Sequence, residues 1–271
     1  MGSWRVTVMH HHRTPGGRPQ GRPEGPLARR DGWEVHGRDG ELSCVDPSGL
    51  VRWRQPFPGR PNAAHVSAGR VLVTTDSFEY TTRGHLGPAL LLDLADGAPV
   101  AELRGERGAA VGGGRFVLGL EGYGAFDTWA HDRDGAVVDS WRSYGHYVVG
   151  DGLRVVETDR RRPTGSRVVR LLPGGAVERG PLLTDPQAPE PLALPDGTLL
   201  VLDAGVLRAV GRELDDAVLA ELLPLAPEEQ HRFTGGLSRT AEGLNATLVE
   251  RHPTRMGSYT THTWVLGLVG L

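Results

Sequence analysis

Lysine and isoleucine are absent from the chain, and every cation other than histidine is arginine. Coding from GC-rich codons accounts for both absences. They also remove chemistry, because a Schiff-base lysine and a lysine-dependent phosphate loop are unavailable. A single cysteine, Cys44, excludes an intrachain disulfide framework and a multi-cysteine zinc site. It stands beside Val45 in a strand-like run, the setting of an inert buried thiol. No stretch approaches the 18 apolar residues of a membrane span, and residues 1–13 lack the apolar core of a signal peptide. These absences give a cytoplasmic, soluble expectation with no membrane partner. The formal net charge of −3 offers no basic field for nucleic acid.

What the chain has in excess is turn chemistry. Glycine (39) and proline (20) recur throughout its 271 residues, as in an all-β fold of many short strands. Residues 32–57 show the unit plainly: three short strands separated by Asp39-Gly40 and Asp46-Pro47-Ser48-Gly49 turns, with Trp53 in the last. Residues 3–10 alternate as an isolated strand, with Trp4, Val6 and Val8 on one face. Residues 13–30 are rich in Pro, Gly and Arg and read as a linker or loop.

A repeat follows. Gly32, Gly69, Gly114, Gly152, Gly197 and Gly243 each open an apolar strand, at gaps of 37, 45, 38, 45 and 46 residues. That spacing is close to the period of roughly 40–50 residues expected for propeller blades. Seven positions after each glycine stand Asp39, Asp76, Glu121, Asp159, Ala204 and Glu250, so register repeats with spacing. Each unit reads as four strands, the first just before the marker glycine and the fourth after an Asp-Gly-type turn. Residues 215–222 fit a strand by their match to residues 96–103, and a short helix by the spacing of Leu214, Val218 and Leu222. The last unit has three strands and no fourth, and the isolated strand 3–10 can supply it. The expectation is an all-β, single-domain β-propeller spanning 1–271. Its blades cover 32–271, most simply as six four-stranded blades closed by the N-terminal strand; the ambiguous N-terminal region leaves five and seven open.

The run from Asp39-Gly40 through Asp46-Pro47-Ser48-Gly49 to Trp53 resembles the repeat of PQQ-like (quinoprotein-type) β-propellers. His131-Asp132-Arg133-Asp134-Gly135 up to Trp141 is a looser copy. The resemblance implies the fold. The cofactor ligands of quinone-binding members have no match here, so no quinone is expected.

Strand direction then marks one face. In an up-and-down blade, the start of the first strand and the end of the second lie at the same end, where the longest insertions also fall: 76–87, 121–127, 159–166 and 250–259. Candidate ligand-binding residues at this channel mouth are His65, Asp76, Tyr80, His85, Glu121, Tyr123, His146, Asp159, Glu250 and His252. No cofactor is called for, although His65 and His146 with the rim acids suit a divalent metal. Each acid is also an ordinary turn residue, and each histidine an ordinary rim residue. His10 to His12 read as exposed side chains beyond a strand. Asp132 to Gly135 is a turn with too few oxygen ligands for a calcium loop. With no nucleophile elbow, zinc helix or phosphate loop in the chain, the leading expectation is a non-catalytic binding or scaffold module. It would present its loop-rich face to a protein or small ligand. The alternative is a metal-assisted hydrolase, lyase or isomerase with its site at the channel mouth.

Overall fold

The Asp-x-x-Gly spacing builds the same tight turn repeatedly. The carboxylate of Asp46 accepts the backbone N–H of Ser48 and of Leu50, while Gly49 N–H closes onto Asp46 O. Asp132 does the same for Asp134 and Ala136, with Gly135 closing the turn. This carboxylate is consumed in holding the backbone, which answers the calcium-loop reading of residues 132–135. Gly49 at φ 85° and Gly135 at φ 89° occupy the left-handed region that the turn demands.

Between such turns the computed structural model describes residues 4–16, 25–38, 40–75, 79–81, 84–121, 126–143, 147–149, 153–158, 166–184, 191–223, 233–240, 243–251 and 259–270. They form six four-stranded antiparallel sheets and no α-helix. The first sheet holds Ala28–Arg30, Trp33–Arg38, Glu41–Val45 and Val51–Pro56. The second holds Pro61–Ser67, Arg70–Thr75, Pro88–Asp93 and Pro99–Arg104, and the third Arg107–Gly112, Arg115–Glu121, Phe126–His131 and Val137–Ser143. The fourth runs Tyr147–Val149, Arg154–Thr158, Ser166–Leu171 and Val177–Leu182. The fifth holds Leu192–Ala193, Leu199–Asp203, Val206–Val210 and Asp216–Glu221, so the 215–222 segment is a strand. The sixth pairs Phe233–Thr240, Gly243–Arg251 and Tyr259–Gly270 with the N-terminal strand Trp4–Pro15.

The N-terminal strand completes the last sheet as expected, from Trp4 opposite Gly270 to Pro15 opposite Thr260. Two boundaries differ. The strand runs to Pro15 rather than residue 10, because Tyr259–Gly270 is itself 12 residues long and offers pairing along its whole edge. The stretch 13–30 also gives up its far end to Ala28–Arg30, the first strand of the first sheet.

The chain divides into two compact units, 22–153 with 171–177, and 1–21 with 154–170 and 178–271. In the first unit, one core packs Val35, Leu42, Cys44 and Trp53 against Val71, Val73, Leu90 and Leu92. A second packs Leu72 and Leu91 against Phe116 and Leu118. The continuous apolar runs Val71-Leu72-Val73 and Ala89-Leu90-Leu91-Leu92 thus bury both faces of the second sheet, as a sandwiched strand requires. In the second unit, Leu200, Leu202 and Leu207 pack with Ala246, Leu248, Trp264 and Leu266, and Trp4 and Val6 lie against them.

Tryptophan and arginine tie neighbouring sheets. Trp53 donates its indole N–H to Leu94 O at 2.8 Å, and Trp141 donates to Leu172 O at 2.6 Å. Gly97 is glycine because a Cβ there would stand 2.6 Å from the Trp53 ring. Arg30 reaches Val66 O, Arg170 reaches Arg212 O, and buried Arg154 bonds the carbonyls of Gly197 and Gly211. A guanidinium with five donors serves this use better than an ammonium would. Trp53→Phe should therefore lower stability by about 1–3 kcal/mol, because it leaves a buried carbonyl unpaired, as a urea titration would read. A variant as stable as the parent would show that the bond carries nothing.

Candidate functional site

In each sheet the turn from first to second strand and the turn from third to fourth share one end. The other end carries the longer excursions. At that loop-bearing end the second sheet raises a two-stranded hairpin, Glu79–Thr81 with Gly84–Leu86, in which Tyr80 stands opposite His85. Its second strand lies against Arg115–Glu121 of the third sheet. The backbone elements of three candidates, Tyr80, His85 and Glu121, are thereby brought to one place. Asp76, Tyr123, His146, Asp159 and His252 lie outside the described residues.

His65 is placed differently from the rim position expected of it. Its strand begins at Pro61, so His65 is the fifth of seven residues and pairs with Leu72 inside the sheet. The longer strand carries it away from the loop-bearing end. Its ring lies beside Gly108, where an added Cβ would come within 3.2 Å of Nε2. The ring keeps an exposed fraction, but Nε2 itself is sealed and has no hydrogen-bond partner among the described residues. Burial drives the imidazole pKa down to about 4, so at neutral pH it is uncharged.

Glu250 is at the loop-bearing end as expected, opposite Thr260. Its carboxylate accepts from His262 Nε2 at 3.1 Å. That bond fixes the tautomer: with the proton on Nε2, Nδ1 of His262 is an acceptor, and His11 Nε2 donates to it at 3.3 Å. The His11 ring stacks on Trp264 with centroids 4.7 Å apart and planes within 2°. The result is a carboxylate–imidazole–imidazole chain from the second strand of the last sheet to its outermost strand. The His11 pKa is lowered, first by burial and then by the charges of His262, His12 and Arg13. His10 to His12 thus lie within a strand rather than beyond it; all three side chains are exposed as expected, and His11 also makes the contacts with His262 and Trp264.

Neither partner of Glu250 was among the candidates. His262 lies beyond the 252–258 insertion, and His11 is at the opposite end of the chain. Only the pairing of Arg13 with His262 and of His11 with Trp264 brings them together. Cys44 is a buried free thiol, and burial, with a smaller contribution from Asp46, pushes its pKa up to about 11. Among the described residues no three His, Cys, Asp or Glu side chains are grouped to hold a metal ion. No described helix is long and apolar enough to cross a membrane.

A different concavity, of about 580 Å³, opens at the turn-bearing end of the first three sheets. It is lined by Arg30 and Trp33 of the first sheet, Arg70 and Asp93 of the second, and Gly113 and Arg133 of the third.

No family model and no curated protein matches the chain. Solved structures do. Hsv2 of Kluyveromyces lactis aligns at TM-score 0.51 with 11% identity, over 89% of this chain and 83% of that one. A catalytically inactive virginiamycin B lyase from Staphylococcus aureus, with quinupristin, aligns at TM-score 0.50 with 9% identity, over 97% and 100%. BamB from Moraxella catarrhalis aligns at TM-score 0.41 with 16% identity, over 96% and 97%. Identities this low speak to fold alone. Taken with the six four-stranded sheets, the alignments to Hsv2 and to the lyase make this chain a β-propeller that resembles the PQQ-like repeat type at the level of the fold.

Proposed function

We propose that the protein is a non-catalytic binding module whose loop-bearing end receives a protein or small ligand. The observation that carries this reading is the hairpin Glu79–Thr81/Gly84–Leu86, an element added to the bare four-stranded unit and set against the strand that ends at Glu121. A propeller blade needs no such element to fold; the first sheet manages the same connection without one. The two candidates whose side chains are described support binding over catalysis. Glu250 is engaged by His262, and the Nε2 of His65 is sealed between sheets.

Replacing residues 76–87 by a two-residue Asn-Gly turn tests the reading. The variant should keep its fold and melt within a few degrees of the parent, because the hairpin is a two-stranded sheet of its own and is not hydrogen-bonded into any of the four-stranded sheets. It should lose the ligand or partner that cross-linking mass spectrometry identifies on the parent at this end. Identical capture by both proteins overturns the reading. Stoichiometric metal in untagged protein, lost in His65→Ala and His146→Ala, would overturn it in favour of a metal-assisted enzyme.

A further inference from the structure

The concavity at the turn-bearing end has the features of a binding site that the loop-bearing reading does not use. Three guanidiniums from three successive sheets converge on it in a chain whose net charge is negative. Their surroundings divide their roles. Arg70 is held by Arg133 O at 3.0 Å and by the carboxylate of Asp93, so it braces the wall. Asp93 also accepts the Ala95 N–H, and its charge is matched in place. Arg30, which lines the hollow, donates Nη1 to Val66 O at 2.8 Å and has Asp31 as a loose ionic neighbour of its Nε at 3.6 Å. Arg133 packs closely over Gly114, its Cβ only 3.0 Å from where a side chain there would begin. Its own side chain is exposed and has no ionic or hydrogen-bonded partner among the described residues.

The floor is bare. At Gly69, Gly112 and Gly113 an added Cβ would meet nothing within 4 Å, so backbone rather than side chain faces the space. Such a floor lets a ligand approach the main chain closely. Trp33 supplies one aromatic wall. Ala68 beside the floor is held at φ 41°, a conformation costing on the order of 1 kcal/mol for a residue with a Cβ.

We propose that this hollow binds a small anionic ligand, a phosphate or carboxylate group on a planar body that lies against Trp33. Arg30 and Arg133 pair with the head group, the glycine floor admits it, and Arg70 holds the wall in shape. Two guanidiniums suit an oxyanion better than a neutral ligand because each offers parallel N–H donors.

Calorimetry on the full chain with phenyl phosphate, benzoate, inorganic phosphate and phenol is the test. Phenyl phosphate or benzoate should bind saturably at one site per chain and weaken as salt rises. Arg133→Glu should reduce that affinity by about tenfold or more while leaving the melting curve unchanged, since the side chain is exposed. Arg30→Gln should reduce it as well. Absence of saturable binding by both aromatic anions overturns the proposal, as does binding that neither variant alters. Phenol binding as tightly as phenyl phosphate overturns the anion half, and inorganic phosphate doing so overturns the planar half. The variant lacking residues 76–87 should bind these probes normally, so failure here and failure of the loop-bearing reading are read separately.

Discussion

Acidification from neutral pH to about pH 4 should cost the native state up to about 3 kcal/mol through His65 alone. The unfolded imidazole titrates near the ordinary value of 6.5, and the folded one near 4. Above 6.5 both states are neutral and the group contributes no pH dependence. Between the two values the unfolded chain takes a proton that the native protein refuses. Stability therefore falls by about 1.4 kcal/mol per pH unit across that window and levels off below it. Part of the ring reaches solvent, which makes the full figure an upper bound. His11 adds to the loss in the same direction, since its pKa is also lowered.

His65→Leu isolates the effect. Leucine keeps the volume and suits a face shared with Leu72 and Leu91. At pH 7 the variant should lie within about 1.5 kcal/mol of the parent. By about pH 4.5 it should be the more stable of the two, because it has nothing to protonate. The check is the difference between urea titrations of the two proteins as a function of pH, which cancels every carboxylate they share. A constant difference would mean that His65 is protonated freely in the native protein.

Deleting residues 4–15 should be more damaging still. The deletion strips the partner from the whole length of Tyr259–Gly270. It removes Trp4 and Val6 from the core of the second unit and breaks the bond from Trp4 Nε1 to Asp196 at 3.0 Å. The acceptor of that bond has a lowered pKa, with the N–H and hydroxyl of Thr198 and the Trp4 indole opposing its desolvation. Lost apolar burial alone amounts to about 3–5 kcal/mol, and the bared edge invites aggregation. The truncated protein should melt about 10 °C or more below the parent or fail to stay soluble. A peptide of residues 4–15 added in trans should recover part of the loss by strand addition. An unchanged melting temperature without these residues would show that the last sheet is stable with three strands.

The first and last units were the ones most legible from sequence, because their strands alternate. Val35, Cys44 and Trp53 bury one face of the first sheet while Glu34, His36 and Arg54 remain on the other. In the last sheet Thr260, His262, Trp264 and Leu266 do the same. The inner strands read as plain apolar runs, and their boundaries slipped accordingly: Pro61 and Phe233 start strands several residues earlier than pattern alone places them. That slip moved His65 from rim to interior. A shift of a few residues is invisible in an apolar run but decides which end of a strand a side chain occupies.

Local chemistry settled what repeats along the chain. Turn residues and their spacing pointed to six units, to the Asp-x-x-Gly turns and to the N-terminal strand as the missing fourth member of the last sheet; they left five or seven blades and a helix at 215–222 open, and the structure resolved the latter as a strand. These depend on contacts within a few residues, or on counting strands, and both are written in sequence. Only tertiary structure could join Glu250 to His262 and His11, seal His65 against Gly108, or gather Arg30, Arg70 and Arg133 around one hollow. Those groupings depend on which residues of separate strands stand opposite one another and on how close two backbones come. Register and packing fix both, and no spacing along the chain encodes them.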